Sequence, residues 1–451
     1  MQQILHSNGS LSLFLSLIAS ADLHRDVRQA ACIVIKNKIR EMWSDEVDST
    51  RTYPLVSPQE KLAIRNGIIP LLLNEHDNPI RVTITETIRV ISEFDYPSNW
   101  SDLIQGLLAG VTSNNILHMY NSLLALRKVM KRYEYKQKDN RNEIDDIILV
   151  VFPLLQQLSA SIATLNSIEA AMILKMCLKI FYSATMYALP SSRVCVDYPY
   201  WLKLVGFVIE KALPEGSSGQ EPLGQPVDKE ERKLWPWWKL KKWASRIAQL
   251  FMQRYGNPRY VSEEYKSFAE TFSTDFAPAL LFSFLNQFAQ MASGAYISDD
   301  SHRFGLNYIS SCVELKTTYK VLKPHLSNII YHIIFPGLCI SSDDEKLFIS
   351  DPTEFIRKVH DPMEDWLDLR IASVNLLQAM ARYRKKDSLP IILPYLKHLI
   401  DQYNAADPSA KNYRIKDGVM VAMSGLNKVS SLPRSSLHHV FDDYTLSFRR
   451  F

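Results

Sequence analysis

Helical segments in pairs, punctuated about every forty to fifty residues, constrain this chain's fold more than any other feature of its 451 residues. Apolar positions recur at helical spacing, and alternating strand-like runs are few. The first clear pair is Ser10–Ser20 with Leu23–Trp43, followed by Ser57–Glu75 with Asn78–Phe94, Pro97–Leu108 with Asn114–Arg132, and Asn142–Leu165 with Ser167–Leu189. Ser57-Pro58 and Asn78-Pro79 each supply a capping side chain followed by a first-turn proline. Second helices tend to open on a branched residue beside an arginine: Val27-Arg28, Ile80-Arg81-Val82 and, more loosely, Leu369-Arg370-Ile371.

After Tyr198–Ala212 the pattern breaks at Pro214–Lys229, a stretch rich in Gly, Pro and Ser that reads as a flexible loop. Helix resumes over Pro236–Tyr255, then Ser262–Met291 with Ser301–Thr318, and Lys323–Leu338. A polar, acidic insertion at 341–351 precedes a helix start at Asp351-Pro352, and Met363–Tyr383, Leu389–Tyr403 and Ala410–Val429 complete the series. One helical pair cannot bury both of its apolar faces, whereas stacked pairs can. The expected fold is therefore all-α, a right-handed α-solenoid (superhelix) of about nine HEAT-type units with a concave wall for ligands.

A chain of this length is too long for one hydrophobic core, and its 47% hydrophobic content with 14 glycines suits packed helices rather than disorder. The five cysteines (32, 177, 195, 312 and 339) show no paired spacing, which suits buried thiols in a reducing compartment. Leu11–Ala21 is apolar, but it lacks preceding positive charge and is too short to span a bilayer, so a buried helix and no membrane insertion are expected. Net charge is only +4, but residues 101–140 and 225–260 lean basic while 261–360 leans acidic.

No nucleotide-binding glycine loop and no H-E-x-x-H occurs. The His438-His439 pair has no ligand partners at metal spacing, and Asp145-Asp146 and Asp442-Asp443 lack companion bases. No enzyme activity, metal or cofactor is expected. The Trp237-Trp238-Lys239-Leu240-Lys241-Lys242-Trp243 cluster would suit RNA, with aromatics stacking on bases and lysines meeting phosphates. Aromatic anchors on a core-facing helix with lysines outside account for it equally well and are the preferred reading, which makes direct nucleic-acid binding unlikely. On the first second helix, Arg28, Gln29, Lys36, Asn37 and Arg40 interleave with Val27, Ala31, Ile33 and Ile35, so one flank offers polar donors.

Longer strings resemble a known family. Asp26-Val-Arg-Gln-Ala-Ala…Lys36-Asn37, Asp95-Tyr96-Pro97-Ser-Asn-Trp100, Tyr133-Glu-Tyr-Lys136, Lys179-Ile-Phe-Tyr182, Trp235-Pro-Trp-Trp238 with Arg254-Tyr-Gly-Asn-Pro258, and Ile334-Phe-Pro336 with Asp351-Pro…Arg357 are similar in content and order to the importin-β-type karyopherins. The match leans to the branch containing importins seven and eight and covers about residues 10–428.

The resemblance implies a nuclear transport receptor with three kinds of partner: the GTP-bound small GTPase Ran, phenylalanine-glycine nucleoporins, and protein cargo, in relatives often basic (ribosomal proteins, histones). It implies shuttling between cytoplasm and nucleus through the pore at the nuclear envelope. Ran contacts carried over by the resemblance are Arg28, Lys36, Asn37 and Arg81, with Asp343, Asp344 and Glu345 matching an acidic insertion that in relatives faces Ran's basic side. On this reading residues 1–96 are Ran-binding repeats with an incomplete first unit, 97–428 further repeats, and 429–451 the start of a truncated repeat or a divergent tail. The incomplete first pair and the end at Phe451 lead us to expect an amino-terminal half truncated at both ends. A karyopherin working in export, or a Ran-independent HEAT scaffold, is the alternative.

Overall fold

The computed structural model describes residues 9–44, 55–135, 142–191, 194, 196–214, 224–359 and 368–429. The stretches expected to hold the first helix fragment, most of the Gly/Pro/Ser loop and, beyond Val429, the 429–451 tail, including His438-His439 and Asp442-Asp443, lie outside these residues, as does Cys195. Among the described residues regular structure is helical, and it divides into two units, Met1–Tyr198 and Pro199–Phe451.

Unit 1 is four helical hairpins. Its first helices are α1 (Ser10–Ala19), α3 (Pro58–Leu73), α5 (Leu103–Val111) and α7 (Asn142–Ile162); its second helices are α2 (Arg25–Met42), α4 (Asn78–Asp95), α6 (Ile116–Lys131) and α8 (Ile168–Thr185). Second helices pack side by side in the order α2, α4, α6, α8, and α1, α3 and α5 line up in the layer behind them. The core lies between the layers, with Ile35, Ile39, Ile64, Ile84, Ile88, Leu107, Leu126 and Phe181 all buried.

Local chemistry sets the helix starts. Ser57 Oγ accepts from Glu60 N at 3.3 Å, Asp77 Oδ1 from Ile80 N at 3.1 Å, and Ser167 Oγ from Ala170 N at 3.1 Å. Other ends are capped by neighbours: the buried Glu60 carboxylate accepts from Leu11 N at 2.7 Å and so closes the start of α1. Asn121 of α6 donates to Leu72 O and Glu75 O at 2.8 and 3.0 Å and closes the end of α3. Helix α7 is long and apolar enough to cross a membrane by length and composition alone, but it packs against α8 with Ile147, Val151 and Leu155 fully buried.

Unit 2 repeats the plan with more irregularity. After α9 (Tyr198–Glu210) and the short α10 (Lys229–Leu234), the second helices are α11 (Pro236–Tyr255), α14 (Asp299–Glu314), α20 (Leu369–Tyr383) and α22 (Tyr413–Asn427), again packed in sequence. The Ser262–Met291 helix is observed as α12 (Glu263–Thr271) and α13 (Ala277–Ala292) joined by a π-helical turn at Phe272–Phe276. Lys323–Leu338 is less regular than expected: α15 (Lys316–Leu322) and the short α16 (Leu326–Asn328) and α17 (Phe335–Leu338) flank a second π segment at Ile329–Ile334.

Four expectations are corrected. Helix α5 starts at Leu103, not Pro97, because Asp95–Trp100 is a turn in which Asn99 N and Trp100 N both donate to Asp95 O. Lys229, placed in the loop, starts α10, with Asp228 capping two backbone N–H groups. The acidic insertion is mostly a helix, α18 (Ser342–Ser350), capped by Ser341 and paired with α19 (Pro352–Val359). α21 (Lys385–Ala405) starts before the expected Leu389 and accommodates Pro390 and Pro394 inside it.

The Trp237-Trp238 cluster is core, as preferred: both indoles are buried. One lysine goes with them. Lys241 is buried and donates to Val208 O and Ile209 O at 3.2 and 2.7 Å, capping α9. Lys242 pairs with Asp300 at 2.7 Å, so the lysines, expected outside, divide between the core and the surface.

Candidate protein-binding surface

The layer of second helices in unit 1 presents side chains that the core does not use. On α2 the buried positions Ala31, Cys32, Ile35, Lys38, Ile39 and Met42 follow helical steps, leaving Ile33, Asn37 and Arg40 exposed and Lys36 half-buried beside them. Neither the Lys36 nor the Asn37 side chain has a hydrogen-bond or ionic partner among the described residues. Ile33, 42% exposed, sits within this polar set, so the patch combines donors with an apolar contact.

Arg28 is placed differently. Its Nε donates to Ile18 O at 2.8 Å, and its Nη2 pairs with Glu75, whose side chain is only 3% exposed. Glu75 in turn accepts from Asp77 N at 2.8 Å. The guanidinium thus ties the end of α1 to the turn before α4, and Arg25 adds a second tie to Asp77 at 2.5 Å. Arg81, at the start of α4, donates to Asn78 Oδ1 at 3.0 Å and lies 5.1 Å over the Tyr120 ring, while its buried Nε has no hydrogen-bond partner among the described residues. Of the four residues transferred to this unit, Lys36 and Asn37 share one exposed face; Arg28 and Arg81 are anchored at the helix starts.

The acidic trio belongs to unit 2 and lies in the first turn of α18, where carboxylates favour the helix start. Asp344 accepts from Lys358 at 2.8 Å and from Ser341 Oγ at 2.7 Å, and these partners hold its carboxyl below the usual range against the opposing effect of burial. Glu345 pairs with Arg414, and Asp343 lies 3.9 Å from Lys229. Each carboxylate therefore has an intramolecular base.

Further along the unit 1 wall is a group that residue-by-residue reading missed, although the basic lean of 101–140 was its signal. Arg127, Lys128 and Lys131 lie along α6, and Lys175 and Lys179 lie one turn apart on the adjacent α8. Arg127 pairs with buried Glu134 at 3.1 Å, and Lys128 with Glu86 at 2.9 Å, which also binds Arg89 at 2.8 Å. Burial first, and then Arg127, Lys175, Lys131 and Lys128, lower the Lys179 ammonium to about 8.

Between α1 and α3 a cleft of about 990 Å³ is lined by Leu15, Ala19, Pro70 and Leu71 and bounded by Arg25, Arg28, Glu75 and Asp77. In unit 2 a cleft of about 410 Å³ is lined by the polar side chains of Gln249, Gln253, Asn307, Ser311 and Asn375 together with Arg303 and Asp368. No group of three or more metal-ligating side chains occurs among the described residues. Burial pushes the Cys32 and Cys177 thiols up to about 12, which disarms them as nucleophiles.

Comparison with known proteins agrees with this surface-centred architecture. A family model described as Importin-beta N-terminal domain matches residues 1–74, and one described as Cse1 matches residues 233–434. The chain is 28% identical over 458 residues to the importin beta-like SAD2 homolog of Arabidopsis thaliana, covering 99% of this chain and 43% of that protein. It is 28% identical over 419 residues to Importin-8 of Homo sapiens, covering 92% of this chain and 39% of that protein. Thus it spans less than half the length of the curated relatives it matches. A solved structure of the exportin Cse1 in its cargo-free, cytoplasmic state superposes with a TM-score of 0.71 at 18% identity, covering 94% of this chain and 44% of that one, and shows the same α-solenoid fold. With its two layers of stacked hairpins and these matched segments, the chain is similar over most of its length to karyopherins of the importin-β type.

Proposed function

We propose that this chain binds Ran in its GTP form through the second helices of unit 1 and serves as the Ran-responsive part of a receptor that carries protein cargo into the nucleus. The observation that carries this is the Lys36–Asn37 face: two polar side chains without partners among the described residues, beside exposed Ile33, inside the segment matched by the importin amino-terminal model. Unpaired donors around an apolar contact suit a folded protein partner. Arg28 and Arg81 act in this proposal by fixing the starts of α2 and α4. Asp343, Asp344 and Glu345 form a separate acidic contact that Ran would reach by exchanging its own bases for Lys358 and Arg414. Nucleoporin phenylalanines would seat in the apolar cleft between α1 and α3.

The test is retention of Ran on immobilised 451-residue chain, comparing Ran locked with GTP against Ran loaded with GDP. Preferential retention of the GTP form, lost in a Lys36→Glu/Asn37→Glu variant, supports the proposal. Equal retention of both forms, or none, favours a Ran-independent scaffold. Export is the second reading, favoured by the Cse1 match over residues 233–434. An importer releases cargo when Ran-GTP binds, whereas an exporter binds the two together, so the sign of the coupling between Ran and cargo separates the directions.

A further inference from the structure

The basic group on α6 and α8 lies on the same wall as the Lys36–Asn37 face, yet the Ran proposal makes no use of it. Lys128 and Lys131 are three residues apart and Lys175 and Lys179 four, so each pair sits on one side of its helix. Packed helices stand about 8–10 Å apart, so cations from both reach a common patch within one Debye length. Leu124 and Met172, both partly exposed, extend the same two helix faces by a turn and give the patch an apolar margin. Among the described residues Glu86 on Lys128 and Glu134 on Arg127 temper it, two carboxylates beside five cations. Burial is the first cause of the lowered Lys179 ammonium, and the further lowering by Arg127, Lys175, Lys131 and Lys128 places these four cations within electrostatic reach of it.

We propose that the second-helix faces of α6 and α8 form a docking site for a short acidic segment of a partner protein, held by Lys128, Lys131, Lys175 and Lys179. Charge complementarity identifies the occupant. The stripe from Leu124 to Lys131 is about 10 Å long at 1.5 Å per residue, room for a few carboxylates. Nucleic acid fits it less well. Affinity for a phosphate backbone grows with the number of phosphates neutralised and is helped by aromatic platforms, whereas this patch is short and the neighbouring Tyr120 ring is already covered by Arg81. The inference stands independently of Ran: it assigns unit 1 an acidic partner, opposite in charge to the basic cargo that the family resemblance suggests.

The test uses the 451-residue chain and fluorescence anisotropy of a labelled ten-residue glutamate-rich peptide, a glutamine-rich peptide of equal length, and a ten-nucleotide single strand. The acidic peptide should bind at about 50 mM salt and weaken steadily towards about 300 mM, and the glutamine peptide should not bind. Lys175→Gln/Lys179→Gln should weaken the acidic peptide about tenfold or more, while Lys346→Gln in unit 2 leaves it unchanged. In the unaltered protein, bound peptide should shield Lys131, Lys175 and Lys179 from acetylation and leave Lys346 and Lys428 reactive, a readout that needs no variant to fold. The proposal is overturned if the acidic peptide does not bind, if shielding maps elsewhere, or if the oligonucleotide binds more tightly than the peptide.

Discussion

Arg28 and Arg370 make the same two-pronged contact in different units. Arg28 Nε donates to Ile18 O at the end of the preceding first helix, and Arg370 Nε donates to Leu338 O at the equivalent point, each at 2.8 Å. The other prong of each reaches a carboxylate of the next hairpin, Glu75 or Asp417. Asp417 also accepts from Ile340 N at 2.9 Å. This gives a physical reason for the branched-residue–arginine signature at Val27-Arg28 and Leu369-Arg370, where the planar guanidinium closes its own hairpin and clasps its neighbour at once; Arg81 instead bonds Asn78 and lies over Tyr120.

Arg28→Ala should therefore destabilise unit 1 locally by about 2–3 kcal/mol, since it leaves Glu75 buried without its cation. Arg28→Lys should recover only part of this, because a single ammonium cannot serve both prongs. Hydrogen exchange is the appropriate measurement: in a stacked array the loss should appear as faster exchange in α1–α4, with α6 and α8 little changed. Uniform acceleration through unit 1, or none, would contradict the clasp.

Two helical glycines should respond oppositely to alanine. A Cβ on Gly110 of α5 would lie 2.0 Å from Ser122 Oγ and 2.8 Å from Leu73, so α5 must move off α6. Despite alanine's better helix propensity, Gly110→Ala should cost about 1–3 kcal/mol through overpacking. At Gly67 of α3 the Cβ meets only the tip of Leu15, which a rotamer change relieves. Gly67→Ala should be neutral or stabilising by up to about 1 kcal/mol. Urea midpoints of the two variants against the parent check this; equal destabilisation would mean that Leu15 cannot yield.

Helix pairing, and with it the fold class, was legible because the apolar period and the local caps at Ser57, Asp77 and Ser167 are written within a few residues of where they act. What escaped was the chemistry that passes between hairpins. Nothing near Glu60 announces that it caps α1, nor near Asn121 that it closes α3. Lys241 looked like a surface lysine because its neighbours Lys239 and Lys242 are charged, yet the position falls on the buried face of α11. At the candidate site, helical spacing gave only a polar flank on α2 and the resemblance singled out Arg28, Lys36 and Asn37 within it; neither could show that Arg28 is spent on Ile18 and Glu75. The basic wall was visible only as a regional excess of charge, since it joins residues of two hairpins.

The four cysteines among the described residues should differ in reactivity by access more than by acidity. Cys32, Cys177 and Cys312 are buried, and Cys339 is partly exposed with a thiol raised to about 11 by burial and by Asp417. Under native conditions near neutral pH, peptide mapping after alkylation should show Cys339 modified first and the other three protected until local unfolding. Early modification of Cys177, inside α8, would show that the α6–α8 layer opens readily.

Lys241 gives unit 2 a defined pH response. Burial lowers its ammonium to about 7, with Lys211 adding to the effect and Glu210 opposing it. The group's ordinary value, which the unfolded chain regains, is 10.5. Between these values the unfolded chain binds the proton and the folded chain does not, so folding releases it and stability rises with pH across that window. Below about 7 both states are protonated, and the cost of burying the charge is fully present, offset in part by the bonds to Val208 O and Ile209 O. Lys241→Met removes the titration and keeps much of the packing. Its urea midpoint relative to the parent should be highest near pH 7 and fall steadily towards pH 10, while Lys239→Met, altered at a lysine on the same helix that is not buried, shows no such trend. A difference between Lys241→Met and parent that stays constant over this range would mean that the buried lysine keeps its proton, with the two carbonyls at the end of α9 offsetting the loss of water.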